Sequence, residues 1–453
     1  MAHKIIESFK RSMTNRIIII MLIAFVMTIP LNMVAGVVNE RNHYYDSVIR
    51  EISSLWGEQQ TLSGPVMVVP FMEKHETEEA LQTGFGHTET KLKTKYVRKH
   101  AIILPKKLTL DVGLKESYRQ RGIYRSLVYG ANIGLSAEFA PIDINQLSPR
   151  VDEVLLDEAK LLIGLGDTKA IDQIEAIQLN RDKLNVVAGV GGSGVLASGF
   201  SAELPRGFEL NKNNNFDLVM DVKGSHGFHF APFGETTLAK FHSSWPHPKF
   251  SGQLLPDNHT VTDEGFNAEW QVPHLARNYP QTWVNEHREV NLNELLAGVS
   301  LFEPVFVYSK ITRAVKYGLL FIMLTFITFF IFEASTASAL HYVQYGVVGS
   351  ALAFFFLLLL ALSEHIRFGF AYFIAALSCT SMISVYASYA LANRCQGTGL
   401  FCLLSGLFGV IYLLLKTEDF ALLSGTFMLL MALLGIMFVT KDINLGKRED
   451  TVN

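Results

Sequence analysis

Hydrophobic and polar positions follow two regimes along the chain. Ile17 to Val38 is a continuous apolar run, preceded by Lys4, Lys10, Arg11 and Arg16. About 20 apolar residues at roughly 1.5 Å rise each cross a hydrocarbon core of about 30 Å. A cleaved signal peptide would carry a shorter apolar stretch and a small-residue cleavage site. Val34-Ala35-Gly36 is a poor site, so the run reads as an uncleaved signal anchor. The chain does not turn apolar again until Tyr317. Five runs then follow: Tyr317–Phe332, Tyr342–Leu362, Phe368–Leu391, Leu400–Leu415 and Phe420–Thr440. Polar breaks separate them, among them Ser363-Glu364-His365-Ile366-Arg367, Asn393-Arg394-Cys395-Gln396-Gly397 and Lys416-Thr417-Glu418-Asp419. Breaks this short force neighbouring helices to run antiparallel.

One run plus five predicts six transmembrane helices. The basic flank of the first run sets residues 1–16 in the cytoplasm. An even number of spans returns residues 441–453 to the same side, and Lys441, Lys447 and Arg448 agree. Residues 39–312 then form a large domain on the outer side, which in a bacterium is the periplasm or the extracellular face. Residues 317–440 form a five-helix bundle behind it.

The outer domain starts in helical period. Val48, Ile52 and Leu55 repeat at i, i+4 and i+7 with Trp56 alongside, and an end is expected near Gly57 or before Gly64-Pro65,. After that the period becomes two. Leu108, Leu110, Val112 and Leu114 alternate with polar or small residues, as do Ala131 to Phe139, Phe266 to Val272 and, broken only by Val219, Phe216 to Val222. Such alternation marks strands with one dry face and one wet face. Val66–Phe71 and Ala101–Leu104 are further strands, and Asp263-Glu264-Gly265 supplies a turn,. The expected fold is a polytopic α-helical membrane protein with a large, mainly antiparallel β domain in the periplasm.

Composition sharpens this reading. Hydrophobic residues make up 49% of the chain and charged residues 18%, against roughly 25% charged in ordinary soluble domains. From Tyr317 to Thr440 the charged residues are Arg367, Arg394, Lys416, Glu333, Glu364, Glu418 and Asp419. This distribution excludes a soluble single-domain enzyme and a disordered chain. A formal net charge of −3 without a basic tract argues against nucleic acid as a partner,. Cys379, Cys395 and Cys402 lie in or beside the apolar region and match no metal template, so they read as small membrane-buried hydrophobes,.

Candidate chemistry is sparse. Gly189, Gly191, Gly192, Gly194 and Gly199 lack the Lys-Ser/Thr pair of a phosphate loop and read as a connection between β segments,. Seven histidines lie between His226 and His287, but His226 and His229 would point to opposite faces of a strand, and no H-E-x-x-H pattern is present,. Ser243 and Ser244 stand near His247 without a G-x-S-x-G elbow, and Pro246 and Pro248 make that stretch a rigid turn around a packed Trp245,. Ionisable groups at the span ends are the stronger candidates, because carboxylates at membrane depth are costly. Glu333 would lie at the cytoplasmic side. Glu364, His365, Glu418 and Asp419 would lie outside, where they could cluster. No cofactor and no metal is expected.

The chain resembles the CreD family of bacterial inner-membrane proteins. The resemblance is carried by Ser243-Ser244-Trp245-Pro246-His247-Pro248 with Phe250, and by Glu264 to Trp270. In the membrane region it is carried by Arg313 to Tyr317, by Phe329 to Glu333 and by Leu359 to His365. These segments occur in order, and the likeness covers nearly the whole chain. It implies a multi-pass protein of a Gram-negative inner membrane, controlled by the Cre two-component regulators and associated with envelope properties and tolerance to certain colicins. No reaction comes with the family, so no catalytic residue is carried over. Trp245, Pro246, His247, Pro248 and Trp270 are expected as structural residues of the family motifs.

The leading expectation is a non-enzymatic envelope protein whose outer β domain binds or senses something at the membrane face. Its partners would be the lipid bilayer and either another envelope protein or a lipid ligand. A transporter or lipid-handling protein using Glu364, His365, Glu418 and Asp419 is the alternative. A periplasmic hydrolase using Ser244 or His247 is a third.

Overall fold

The structure, a computed structural model, describes residues 15–83, 87–191, 194–285, 292, 294–301, 307–335, 340–391, 393–416 and the single positions Thr426, Leu430, Leu434 and Met437. Side chains of residues 77–92 and 334–335 lie outside the description. The chain divides into two compact units, one formed by Met1–Asp46 with Val305–Asn453 and the other by Ser47–Pro304.

The first unit is helical. Helix α1, Asn15–Trp56, runs for 42 residues, and its last turns belong to the second unit. Then come α2 (Val307–Lys316), α3 (Gly318–Ser335), α4 (Tyr342–Ser363), α5 (Phe368–Ala390) and α6 (Arg394–Lys416). Among the described residues, four helices (α1, α4, α5 and α6) are long and apolar enough to cross a membrane; α2 and α3, bent by 43°, make a fifth if they count as one span. The sixth expected span, Phe420–Thr440, lies outside the described residues except for four helical positions. The expected polar break at 393–397 is shorter than the sequence suggested. Arg394 to Gly397 form the first turn of α6, because the Asn393 side-chain oxygen accepts from the Cys395 amide at 3.0 Å and caps the helix,.

Packing of α1 follows its residue spacing. Ile20, Ala24, Met27, Leu31, Val34 and Val38 recur every three or four positions and are buried, while Met21, Leu22, Phe25, Ile29 and Met33 on the other side are exposed,. A Cβ at Gly349 of α4 would stand 2.8 Å from Met27, and one at Gly318 of α3 would stand 2.8 Å from Leu31. The two glycines let backbones approach closely, which is the packing that helices use where lipid removes the hydrophobic drive. Of the three cysteines, Cys379 is buried, whereas Cys395 and Cys402 are exposed on the helices.

The second unit is β. Its first strands are β1 (Gln60–Thr83), β2 (His87–Ile103), β3 (Lys107–Arg121), β4 (Tyr124–Phe139), β5 (Val151–Val154) and β6 (Lys160–Gly164). Next come β7 (Ile171–Leu179), β8 (Asp182–Lys183), β9 (Val186–Ala188), β10 (Gly199–Glu203), β11 (Asn214–Ser225) and β12 (Gly227–Phe230). The last are β13 (Thr236–Ser243), β14 (Pro248–Gly252), β15 (Asn258–Thr262), β16 (Gly265–Pro273), β17 (Thr282–Val284) and β18 (Ala297–Leu301). One sheet has the order β14-β18-β12-β1-β6-β10-β9, with β2, β5 and β17 attached to its side; the other has the order β15-β16-β13-β3-β4-β11-β7-β8.

Most neighbours are antiparallel, but β1 runs parallel to β12 and β13 runs parallel to β3. The domain is therefore mainly antiparallel, as expected, with one parallel pair in each sheet that the sequence did not reveal. Alternation within a strand identifies its faces and is blind to the direction of a partner more than a hundred residues away. The strands themselves fall where the period of two placed them. In β4 and β11 buried and less buried positions alternate, and the dry faces of both sheets meet in one hydrophobic cluster. Trp270 lies at its centre, fully buried, with its ring edge-on to Phe241 at 5.0 Å and to Phe230 at 5.8 Å.

Two glycines set turns. Helix α1 stops at Trp56, and Gly57 takes φ +149° against Ala170 and the Lys223 carbonyl,. Gly265 takes φ +136° after the Asp263-Glu264 turn, and a side chain there would meet the Ser243 carbonyl,. The glycine-rich stretch at 189–199 connects β9 to β10. Leu55 departs from its expected role: Val48 and Ile52 are buried, but Leu55 is exposed.

Candidate functional site

Ionisable side chains in the helical unit gather at two opposite ends. At one end Glu333, near the close of α3, is buried. It is ion-paired to Arg16 of α1 and accepts a hydrogen bond from the Tyr345 hydroxyl of α4 at 2.9 Å. The Arg16 guanidinium also reaches the Leu340 carbonyl at 3.4 Å and lies 5.9 Å from the Tyr342 ring centre. At the other end Glu364 caps the C-terminus of α4. It accepts from the Tyr308 hydroxyl of α2 at 3.1 Å and stands 3.9 Å from the Arg41 guanidinium of α1. His365 is exposed, with its ring nitrogen 3.1 Å from the Ala361 carbonyl. Glu418 and Asp419, expected beside Glu364, lie outside the described residues.

Both carboxylates are thus countered by a cation from α1 and a tyrosine hydroxyl. Pairing offsets the cost of a carboxylate removed from water. Sequence reasoning singled out Glu333 and Glu364 but not Arg16, Arg41, Tyr308 or Tyr345. The two arginines lie hundreds of residues from their carboxylates and the two tyrosines 56 and 12 residues away on other helices, and no local pattern marks either pairing.

The β unit places its polar residues differently. On the wet face of the eight-stranded sheet, Thr260, Asn267, His242, Gly113, Asn132, Asp221 and Gln173 stand directly opposite one another on successive strands. Directly paired positions share a face, so these residues form one lateral row across seven strands. Asn132 donates to Asp221 at 2.8 Å, and Gln173 donates to the other oxygen of Asp221 at 2.9 Å. His242 lies 3.5 Å from Asp111 and covers Gly113, where a Cβ would come within 2.7 Å of its ring. Beside the row opens a groove of about 610 Å³, lined among others by Lys115, Asn132, His242, Ser244, Glu264 and Asn267. Lys115, Asn132, His242 and Asn267 stand on strands, and Ser244 and Glu264 on the turns beside them.

Ser244 and His247, the residues of the hydrolase alternative, engage different partners. Ser244 donates to Glu116 at 2.7 Å, and His247 stacks edge-on to Trp245 with ring centres 5.8 Å apart. The Trp245 indole donates to the His247 carbonyl at 3.1 Å, closing the turn that Pro246 and Pro248 flank. No hydrogen bond joins Ser244 to His247 among the described residues.

Two polar clusters in the same unit each centre on a buried residue, Glu73 and His229. Glu73 of β1 is ion-paired to Lys99, accepts from Ser148 and stands 2.8 Å from His75. Burial alone would raise its carboxyl, but the hydrogen bonds from Lys99, Ser148 and His75 outweigh it and hold Glu73 at about 2,. His229 of β12 meets Gln59 at 3.0 Å and Ser251 at 2.8 Å, and Ser251 meets Ser300 at 2.9 Å. Burial pushes His229 below its ordinary value. With Gln59 donating to Nδ1, the proton sits on Nε2 and points at Ser251. His226, in a left-handed backbone conformation, bonds Ser53 at 3.1 Å. Burial also lowers its affinity for a proton, and the charge of Glu58 partly offsets this.

The family model described as Inner membrane protein CreD matches residues 12–445. Inner membrane protein CreD of Escherichia coli (strain K12) is 32% identical over 426 residues, which cover 92% of this chain and 90% of that one. Among solved structures, a mutant M1 zinc metallopeptidase from Deinococcus radiodurans is 9% identical, covers 43% of this chain and 42% of its own, and has a TM-score of 0.23. A further M1 zinc metallopeptidase structure from that organism is 9% identical, covers 37% and 38%, and has a TM-score of 0.20. Likeness at that level carries no argument about this chain.

Proposed function

The chain belongs to the CreD family and is a multi-pass protein of the bacterial inner membrane, and from that premise we propose that its β unit is a non-enzymatic binding or sensing domain on the periplasmic side. The carrying observation is the polar row from Thr260 to Gln173 with its groove. Such a surface suits an elongated, hydrogen-bonding envelope component laid across the strands, such as a glycan or peptide stem of the cell wall. Envelope integrity and colicin tolerance are the phenotypes through which that binding would act.

The experiment uses full-length protein in detergent and soluble muropeptides as the probe. Binding read by thermal shift should be lost when Asn132→Trp crowds the groove, while the melting temperature without probe stays close to wild type. Equal binding by wild type and Asn132→Trp would contradict the placement of the site. Release of a cleaved muropeptide would contradict the non-enzymatic reading.

A further inference from the structure

The flank of the helical unit between α5 and α6 carries a second surface, independent of the β-domain reading. A groove of about 380 Å³ runs there, lined among others by Gly369, Tyr372, Phe373, Leu377, Phe408 and Tyr412. The Tyr372 hydroxyl donates to the Phe408 carbonyl at 2.7 Å and is satisfied within the protein. Phe373 and Leu377 are 64% and 46% exposed, so the trough opens outward. A Cβ at Gly409 on its floor would meet nothing within 4 Å. In a membrane, such a trough faces acyl chains.

Charge at its mouth specifies more. Arg367, exposed, caps α5 two residues before Gly369. Lys416, exposed, follows Tyr412 by one helical turn and therefore stands beyond it on the same face,. The Lys310 amine of α2 lies 5.8 Å from the Phe368 ring centre at the same end. Arg313 and Lys316 complete five basic residues on α2 and the ends of α5 and α6, against Glu364, Glu418 and Asp419. Glu364 is already engaged by Tyr308 and Arg41.

We propose that this groove binds one anionic phospholipid of the bilayer, with its acyl chain in the trough and its phosphate against Arg367 and Lys416. Long basic side chains near helix ends reach the headgroup layer, and each contributes attraction to anionic lipid. The apolar trough supplies the contact that a mobile boundary lipid lacks.

Native mass spectrometry of the full-length protein with added phosphatidylglycerol or phosphatidylcholine tests this. One phosphatidylglycerol should be retained preferentially. Arg367→Gln and Lys416→Gln, both at exposed positions, should each weaken that retention about fivefold and leave phosphatidylcholine unchanged. Gly409→Phe should abolish retention of the bound lipid, whereas Gly409→Ala should keep it. Equal retention of the two lipids by wild type would overturn the proposal. So would undiminished phosphatidylglycerol in the Arg367→Gln/Lys416→Gln double variant, which stands even if Gly409→Phe fails to fold. A change of oligomeric mass in Gly409→Phe with bound lipid unchanged would assign the groove to a second copy and equally overturn it.

Discussion

Arg16 and Glu333 form an ion pair across 317 residues of sequence, joining the first helix to the close of α3. Tyr345 completes the site from α4. Their side chains are 27% and 6% exposed, so the carboxylate is the more deeply enclosed partner. Arg16→Met leaves that carboxylate enclosed without its cation and should destabilise the protein by on the order of 3 kcal/mol. Arg16→Met/Glu333→Leu should recover most of the loss, because no charge is then left unpaired. Thermal unfolding of the four-member cycle in detergent measures the coupling; a double variant as unstable as the sum of the singles would refute it.

Trp270 makes a similar demand on the β unit. It is fully buried, ringed by Phe230, Phe241 and Phe250, and its indole donates to the Leu254 carbonyl at 3.3 Å. Trp270→Ala should cost about 3–5 kcal/mol, and Trp270→Phe distinctly less. Chemical denaturation followed by tryptophan fluorescence or circular dichroism would show the difference. A silent Trp270→Ala would mean that the ring is not the core element described.

Much of this was legible in the chain itself, for identifiable reasons. Leu108 to Leu114 and Ala131 to Phe139 alternate because their strands have one buried face, and the pattern is local. The buried stripe Ile20, Ala24, Met27, Leu31 was not legible, because the exposed side of the same run (Met21, Leu22, Phe25, Ile29) is equally apolar. The partner of Glu333 was not legible, since only tertiary packing brings Arg16 to it. Nor was the row linking Thr260 to Gln173, because alternation identifies a wet face and leaves its register across strands open. The parallel pairs β1 with β12 and β13 with β3 escaped for the same reason. Leu55 fitted the helical period yet is exposed, since periodicity names a face of the helix and not how far along it the packing extends,.

Glu73 gives the β unit a dependence on acid. Its hydrogen-bond partners hold the carboxyl at about 2 in the folded protein, against 4.5 for an unhindered one. A lowered folded value stabilises the protein above the unfolded value and withdraws that support as pH falls from about 4.5 toward about 2. Glu73→Gln should therefore lower stability at neutral pH and flatten its decline over that acidic range. Melting temperatures of wild type and Glu73→Gln from neutral pH to about 2.5 check this, and parallel curves would contradict it.

His226 and His229 act in a milder range. Burial holds both below the ordinary 6.5. Their neutral forms are the ones the fold accommodates, so stability is full above about 6.5 and declines as pH falls below it. His229→Gln should reduce the loss of melting temperature between about pH 7.5 and about pH 5.5. An unchanged slope would show that His229 carries no part of it.

The account depends most on which side of the membrane each unit faces, and cysteine accessibility reads this directly. Leu275 in the β unit is 83% exposed. Cys395 is exposed at the start of α6, which the expected order of spans sets at the cytoplasmic end. Spheroplasts carrying Leu275→Cys with all three native cysteines replaced by serine, and others keeping only Cys395, are treated with a membrane-impermeant maleimide. The account predicts that Leu275→Cys is labelled in intact spheroplasts and Cys395 only after the membrane is opened. Labelling of Cys395 in intact spheroplasts, with Leu275→Cys protected until lysis, would contradict it.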